Sequence, residues 1–515
     1  MSLAIVHTRA LVGIEALVVT VEVHLTNGLP ALSIVGLPEA AVRESKDRVR
    51  SAIINSNFEF PRRKITINLA PADLPKEGGR YDLAIALGVL AASEQIPKQA
   101  LENAEFLGEL ALSGELRPIS GVLPASLACE KSSRILFVAK ANAEEAALPS
   151  KANIVAGSSL LDICNHLCKK IDLSVNREDF KQDSSHLSKK QFFDINEVKG
   201  QARAKRALEI AAAGAHNVLF IGPPGTGKTM LATRLPTLLP PLTDEEAIEV
   251  ATIYSIHQKN GLHEQWKTRP CRTPHHTASA VALVGGGSIP KPGEISLAHK
   301  GVLFLDEFPE FDRKVLEVLR EPLESGEIHI SRASRQVTFP ANFQLIAAMN
   351  PCPCGYYGAR LGGAKIGGSE NNRCTCTLDQ VQRYRAKLSG PLLDRIDLHV
   401  EVPMLAHSQF LNSTQPLSES SELIRLRVLA SRQQQQERQQ TINSNLSNQD
   451  IEKYCQLNTQ GTALLNNAME QLNFSPRAYH RILRVARSIA DLALSQNISE
   501  QHLAEAISFR ALDRK

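Results

Sequence analysis

The sequence predicts an α/β protein centred on a parallel sheet, preceded by an N-terminal α+β domain and followed by a helical lid. Three observations carry that expectation. NVLFIG at 217–222 runs directly into a glycine-rich turn, GPPGTGKT. GVLFLDE at 301–307 and FQLIAAMN at 343–350 are equally short apolar runs, as expected of strands covered on both faces. Ahead of them, GQARAKRALEIAAAG places Ala204, Ala207, Leu208, Ala211 and Ala212 on one helical stripe.

A chain of 515 residues is too long for one core, and a typical domain size of about 150 residues suggests roughly three. Lys and Arg number 58 against 54 Asp and Glu, so the balance of +4 does not argue for a nucleic-acid partner, and any basic surface is local. The first 25 residues alternate apolar runs with charges and read as strands, not as a signal peptide. No stretch approaches the roughly 18 uncharged apolar residues of a membrane span, so no membrane partner and a cytoplasmic location are expected. Four of the nine cysteines sit in two tight pairs, which in a reducing compartment points to metal or free thiols before disulfides.

Composition divides the chain further. Residues 1–173 mix β-rich runs (LVVTVEV, ALSIVGL) with the helix-like EAAVRESKDRVRSAI, and 174–191 is a polar linker. Residues 192–403 hold the central sheet, and 404–515 turn helical. There SRQQQQERQQ reads as part of a long solvated helix or helix pair without a catalytic role. In SPRAYHRILRVARSIADL, Tyr479, Ile482, Leu483, Ala486, Ile489 and Ala490 share one face while Arg477, Arg481 and Arg484 share another.

GPPGTGKT is a phosphate loop in the required context of a preceding strand and a following helix. Gly222, Pro223, Pro224, Gly225, Thr226 and Gly227 curl backbone N–H groups around phosphate, Lys228 reaches the terminal phosphates of ATP, and Thr229 ligates Mg²⁺. VLFL then ends in two carboxylates, of which Asp306 would hold the metal and Glu307 would orient the attacking water. Asn350, closing the next strand, would hold the same water, although an Asn before Pro is also an ordinary strand terminator.

Together these motifs resemble the AAA+ ATPases. LLDRIDLHV at 392–400 resembles the arginine-finger segment of MCM helicases and magnesium-chelatase ATPase subunits, and the helix from Ser475 resembles their sensor-2 helix. The resemblance implies that Arg395 and Arg477 are catalytic, Arg395 acting on a neighbouring subunit's nucleotide within a ring. Both also read as solvated or salt-bridged surface charges.

Two inserts would line the pore of such a ring. EIHISRASRQVTF alternates Ile328 and Ile330 before a tip and Val337 and Phe339 after it, a hairpin pattern with Arg332 and Arg335 at the turn. ALVGGGSIPKPGEIS carries Lys291 near its apex. The three cations are candidate DNA contacts or plain loop charges, and the inserts resemble the presensor and helix-2 hairpins of the same branch. Cys352, Cys354, Cys374 and Cys376 supply the ligand count of a structural Zn²⁺ site, and the Gly-rich insert between them is too polar for its own core; unmetallated thiols are the alternative. Cys271, His275 and His276 remain unassigned.

MNPCPCGYYG, RCTC, QVQRYRAKLSGPLLDRIDLHVEVP, RTPHHTAS and VLFLDEFPEF together resemble the ComM/YifB family of magnesium-chelatase-like competence proteins, nearly end to end. That resemblance implies a homohexameric, ATP-driven DNA helicase or translocase. Its DNA would be single-stranded and branched, read without sequence preference, with branch migration in natural transformation as the task and a recombinase as a further partner. A metal-insertion ATPase and a polypeptide-threading remodeller are the rivals. The N-terminal segments GGRYDLAIALGVLAA and SGVLPASLA resemble the C-terminal domain of Lon proteases and RadA-type proteins, yet the aligned positions, Gly79 to Asp82 and Val122 to Leu123, carry neither the Ser nor the Lys of a protease dyad. PRRK at 61–64 is either a phosphate contact or a solvated turn.

Overall fold

The computed structural model describes residues 3–36, 40–176, 193–257, 266–287, 290–332, 335–358, 360–361, 364–365, 374–405, 419–472 and 474–510. They fall into two compact units. One comprises Met1–Ser188, Asp244–Trp266 and Ser331–Thr338; the other comprises Lys189–Thr243, Lys267–Ile330 and Phe339–Lys515. Of the expected linker, residues 177–191 lie outside the described set.

The first unit is built on seven strands: β1 (Leu3–Val12), β2 (Glu15–Thr26), β3 (Ala31–Val35), β4 (Lys64–Ala70), β5 (Ala104–Phe106), β6 (Ile135–Ala139) and β7 (Asn153–Gly157). Their order is β3-β4-β2-β1-β5-β6-β7, antiparallel where β2 meets β1 and β4 and parallel elsewhere. In β2 burial alternates from Val19 onward: Val19, Val21, Val23 and Leu25 are buried, so one face belongs to the core. Helix α1 (Ser45–Asn55) packs beside α2 (Asp82–Ala92), whose every residue is buried, which explains why DLAIALGVLAA shows no polar stripe. A Cβ on Gly88 would lie 2.6 Å from Val23 Cγ2, so glycine is what lets α2 sit close on the sheet.

At the positions compared with a protease dyad, the Asp82 carboxylate is held by Arg48 Nε at 2.8 Å and by the Leu110 N–H at 3.3 Å, while Val122 and Leu123 are buried at the start of helix α3 (Val122–Ser132). Arg62, Arg63 and Lys64 of PRRK are exposed. The helix Asp244–His257, although it lies within 192–403, packs against α3 in this unit. The Gly121 N–H donates to Ser255 O at 2.8 Å, the Leu123 N–H reaches the Ser255 hydroxyl at 3.4 Å, and that hydroxyl contacts the buried Glu145 carboxylate. Compactness here does not follow chain order.

In the second unit, α4 (Ala202–Gly214) buries the stripe from Ala204 to Ala212. The strands β8 (Val218–Ile221), β9 (Cys271–Arg272), β10 (Val302–Leu305), β13 (Gln344–Met349) and β14 (Leu398–Glu401) form one parallel sheet in the order β9-β10-β13-β8-β14. β8, β10 and β13 are buried at every residue, as their continuous apolar sequences require. Between β10 and β13 in the chain lies the expected hairpin of β11 (Glu327–Arg332) and β12 (Arg335–Pro340), whose residues Ser331–Thr338 group with the first unit, with Ile328, Ile330, Val337 and Phe339 buried. Its tip, 333–334, and the side chains of Arg332 and Arg335 lie outside the described set. Gly285–Gly286 pairs with Lys291–Pro292, and Lys291 is exposed.

Among the C-terminal helices, which also include Asn448–Tyr454 and Thr459–Leu472, are α6 (Ser421–Gln439), α7 (Pro476–Leu492) and α8 (Glu500–Ser508), following α5 (Lys228–Ala232) of the phosphate loop. α7 buries Ile482, Leu483, Ala486, Ile489 and Ala490. It also buries Arg487 and Asp491, which a simple apolar stripe does not foretell; Asp491 accepts bonds from Arg438 Nη1 at 2.6 Å and Arg487 Nε at 3.0 Å. The glutamine run is one helix, but it is not solvated throughout: Gln435 is buried and donates to Ala213 O at 3.2 Å, because an amide can satisfy a carbonyl at the end of α4 that an apolar residue could not.

Candidate active site and metal centre

The C-terminal ends of β8, β10 and β13 meet where the chain order around β8 reverses, the place at which open α/β sheets hold ligands. β8 delivers the phosphate loop. Gly225 and Gly227 adopt φ of +75° and +87°, left-handed conformations that turn successive backbone N–H groups inward, and no atom lies within 4 Å of where their Cβ would be. That open cradle fits a polyphosphate.

Lys228 Nζ donates to Gly222 O at 2.7 Å, Pro223 O at 2.9 Å and Asn350 Oδ1 at 3.1 Å. Burial lowers its pKa, and the nearby Asp306 and Glu307 charges pull the other way. Thr229 Oγ1 donates to Asp306 Oδ2 at 2.6 Å, which brings together the hydroxyl and carboxylate expected to share Mg²⁺. Glu307 follows in a left-handed conformation, φ +51°, its N–H bonded back to Asp306 Oδ1 at 2.9 Å. Lys228, Thr229, Asp306 and Asn350 are thus one connected group contributed by three strand ends.

Two site residues escaped sequence reasoning. His276 Nδ1 lies 3.1 Å from Glu307 Oε2, and its ring is braced by His275, at 4.1 Å between centroids, and by the edge of Phe311. The signal is RPCRTPHH, which contains β9, but a two-residue edge strand has no readable period. Gln201, at φ +54° just before α4, donates from Nε2 to Pro403 O at 2.8 Å and reaches Thr226 O at 3.4 Å, tying the loop to the chain beyond β14.

Arg395 and Arg477 lie elsewhere in this unit. Arg395 is buried against Glu324 and donates from Nη1 to Pro391 O at 2.6 Å; Arg477 is exposed in the first turn of α7. Arg481, on the same helix, pairs with Asp397 at 2.6 Å. Burial alone would raise the Asp397 carboxyl, but Arg481, His216 and the Asn217 N–H hold it well below the carboxylate range.

Cys352, Cys354, Cys374 and Cys376 converge, with all four sulfurs within 4.8 Å of one another. Cys352 and Cys354 are 3.3 Å apart, Cys352 and Cys374 3.8 Å, and Cys354 and Cys374 3.5 Å. A tetrahedron with Zn–S bonds of about 2.3 Å has S···S edges of about 3.8 Å, so the donor set fits zinc in number, softness and size. Burial opposes ionisation of Cys354, yet the Tyr356 and Thr375 N–H groups and the Cys352 thiol bring it down to about 6. Cys271, on β9, is outside this cluster. The centre also touches the phosphate loop: a Cβ on Gly355, φ +88°, would lie 2.6 Å from Pro224 Cδ.

A phosphate loop on a central parallel strand, opposed by a Thr–Asp pair and joined to helices beyond the sheet, defines a P-loop ATPase of the AAA+ kind. Residues 194–410 match the family described as magnesium chelatase, subunit ChlI, residues 21–142 match subunit ChlI of Mg-chelatase, and 418–510 match the ChlI C-terminal family. The chain belongs to the ComM/YifB family of these chelatase-like ATPases, which implies ATP hydrolysis. It is 53% identical over 514 residues to competence protein ComM of Haemophilus influenzae, covering 100% of this chain and 98% of that one. It is 51% identical to YifB of Salmonella typhimurium and 49% identical to YifB of Escherichia coli, with the same coverage. No described helix is long and apolar enough to cross a membrane.

Proposed function

We propose that this chain is the protomer of a homohexameric, ATP-driven DNA translocase that extends heteroduplex by branch migration at recombination intermediates during natural transformation. The observation that carries this reading is the full-length likeness to a competence protein, in a chain whose ATP site is assembled by its own strands. Lys228 and the cradle bind the phosphates, Thr229 and Asp306 hold Mg²⁺, Glu307 orients water, and Asn350 steers both lysine and water. Phosphoryl transfer needs one more positive charge at the transition state, which Arg395 supplies to the neighbouring protomer, with Arg477 as the sensor-2 arginine. Lys291, Arg332 and Arg335, repeated six times around the ring, hold the DNA backbone, with affinity that falls with salt and varies little with sequence.

The test is a four-way DNA junction incubated with ATP and either the wild type or Lys228→Ala. Conversion to duplex arms by the wild type alone supports the motor; binding without conversion by either protein refutes it. The chelatase family matches favour a second reading, an ATPase that drives metal insertion, and ATP turnover indifferent to DNA would select it.

A further inference from the structure

Arg395 is not poised in solvent for a neighbour's nucleotide. Its side chain is only 6% exposed and one terminal nitrogen lies against the Glu324 carboxylate. Another donates to Pro391 O at 2.6 Å, and Nε is buried with no partner among the described residues. Glu324 sits on the single helical turn Pro322–Ser325 and is 55% exposed. The charges of two further arginines on α7, Arg477 and Arg481, act on the same carboxylate; with the Arg395 bond foremost, they hold it below its ordinary pKa.

A guanidinium group seated on an acidic group, in a field of further positive charge, is how proteins recognise a phosphoryl group, because the planar donors match its oxygens. Here the acid comes from the chain itself. We propose that Glu324 is a placeholder for the terminal phosphate of the neighbouring protomer's ATP. Its carboxylate keeps Arg395 folded away and prearranged, and it must be displaced before the finger can act. This rests on Arg395 acting in trans and adds a threshold to it. Assembly competes with an internal ion pair, so an isolated protomer does not present a bare finger.

The experiment measures ATP turnover against protein concentration for the full-length wild type, Glu324→Gln, Arg395→Ala and the double variant. Gln matches Glu in size at a largely exposed position, so only the charge is removed. Glu324→Gln is expected to lower both the protein concentration for half-maximal turnover and the KM for ATP by about fivefold, the scale of one partly exposed ion pair, with kcat changed less than about twofold. The double variant is expected to lose that gain. An unchanged or raised KM in Glu324→Gln, with Arg395→Ala inactive, overturns the placeholder and leaves the trans finger standing. Full turnover by Arg395→Ala at every concentration overturns both.

Discussion

Lys228 Nζ and Asn350 Oδ1 are 3.1 Å apart, joining the phosphate loop to the end of β13 across two neighbouring strands. The ammonium group is shared between that amide and two loop carbonyls. Asn350→Ala removes the side chain that senses the lysine and, in the proposed cycle, the attacking water. Turnover is expected to fall by about 10² while nucleotide affinity changes little, as when one preorganised polar group is deleted from a transition-state site. Phosphate-release rates with a fluorescent-nucleotide titration check this; equal losses in binding and rate would assign Asn350 to ground-state binding instead.

His276 and Glu307 make the second case. The Glu307 carboxylate is partnered by the His276 ring at 3.1 Å, and that ring is packed by His275 and Phe311. His276→Ala should lower kcat by about tenfold to a hundredfold through misplacement of the carboxylate, leaving the nucleotide Kd within about twofold. Glu307→Gln should be slower still. If His276→Ala equals the wild type in kcat, the ring is a packing group only.

Why His276 was invisible in the sequence, while Lys228 and Asp306 were not, is a matter of range. β8, β10 and β13 announce themselves through four to six consecutive buried residues, and motifs at their ends inherit that clarity. β9 has two residues, so nothing local marks it as the strand beside β10 that sets His276 opposite Glu307. Nothing in the sequence of the helix Asp244–His257 names its packing partner, and the long-range bonds of Ser255 to the Gly121 and Leu123 N–H groups show that it packs against α3 of the first unit. Glu324 is similarly anonymous: its meaning comes from residues 71 and more positions away on the chain, Arg395 first among them. Local period finds elements, and spacing finds motifs, but pairing of single charges across the fold has no periodic signature.

The thiol cluster and the phosphate loop should be coupled. Gly355 follows the first cysteine pair, and the 2.6 Å distance from its would-be Cβ to Pro224 Cδ leaves no room for a side chain, in a backbone conformation that disfavours one anyway. Gly355→Ala is expected to weaken ATP binding by about tenfold and to destabilise the protein by about 1–3 kcal/mol. Cys352→Ser or Cys374→Ser should lose zinc, by elemental analysis, and show the same direction of change in nucleotide affinity. Zinc-free protein with unaltered ATP affinity would separate the two features.

A pH dependence follows from the closing contact of the chain. His399 on β14 is fully buried, its backbone N–H donates to Phe509 O at 2.6 Å, and its backbone bridges Arg510, itself buried and bonded to Ile396 O at 2.7 Å. Burial above all, then the Arg510 charge with help from Arg481, lowers the imidazole pKa to about 3; the Leu393 backbone and Asp397 oppose this without prevailing. The unfolded chain binds the proton near pH 6.5 and the folded one does not, so the unfolded state holds more protons between those values. Stability from this group is therefore complete above about pH 6.5 and is lost as pH falls, approaching about 1.4 kcal/mol per pH unit well inside the window. Denaturant unfolding between pH 7 and pH 5, above most carboxylate titrations, measures it. His399→Gln, uncharged throughout, should give a flatter curve there; parallel curves for variant and wild type would show that His399 binds its proton equally well in the folded and unfolded chain.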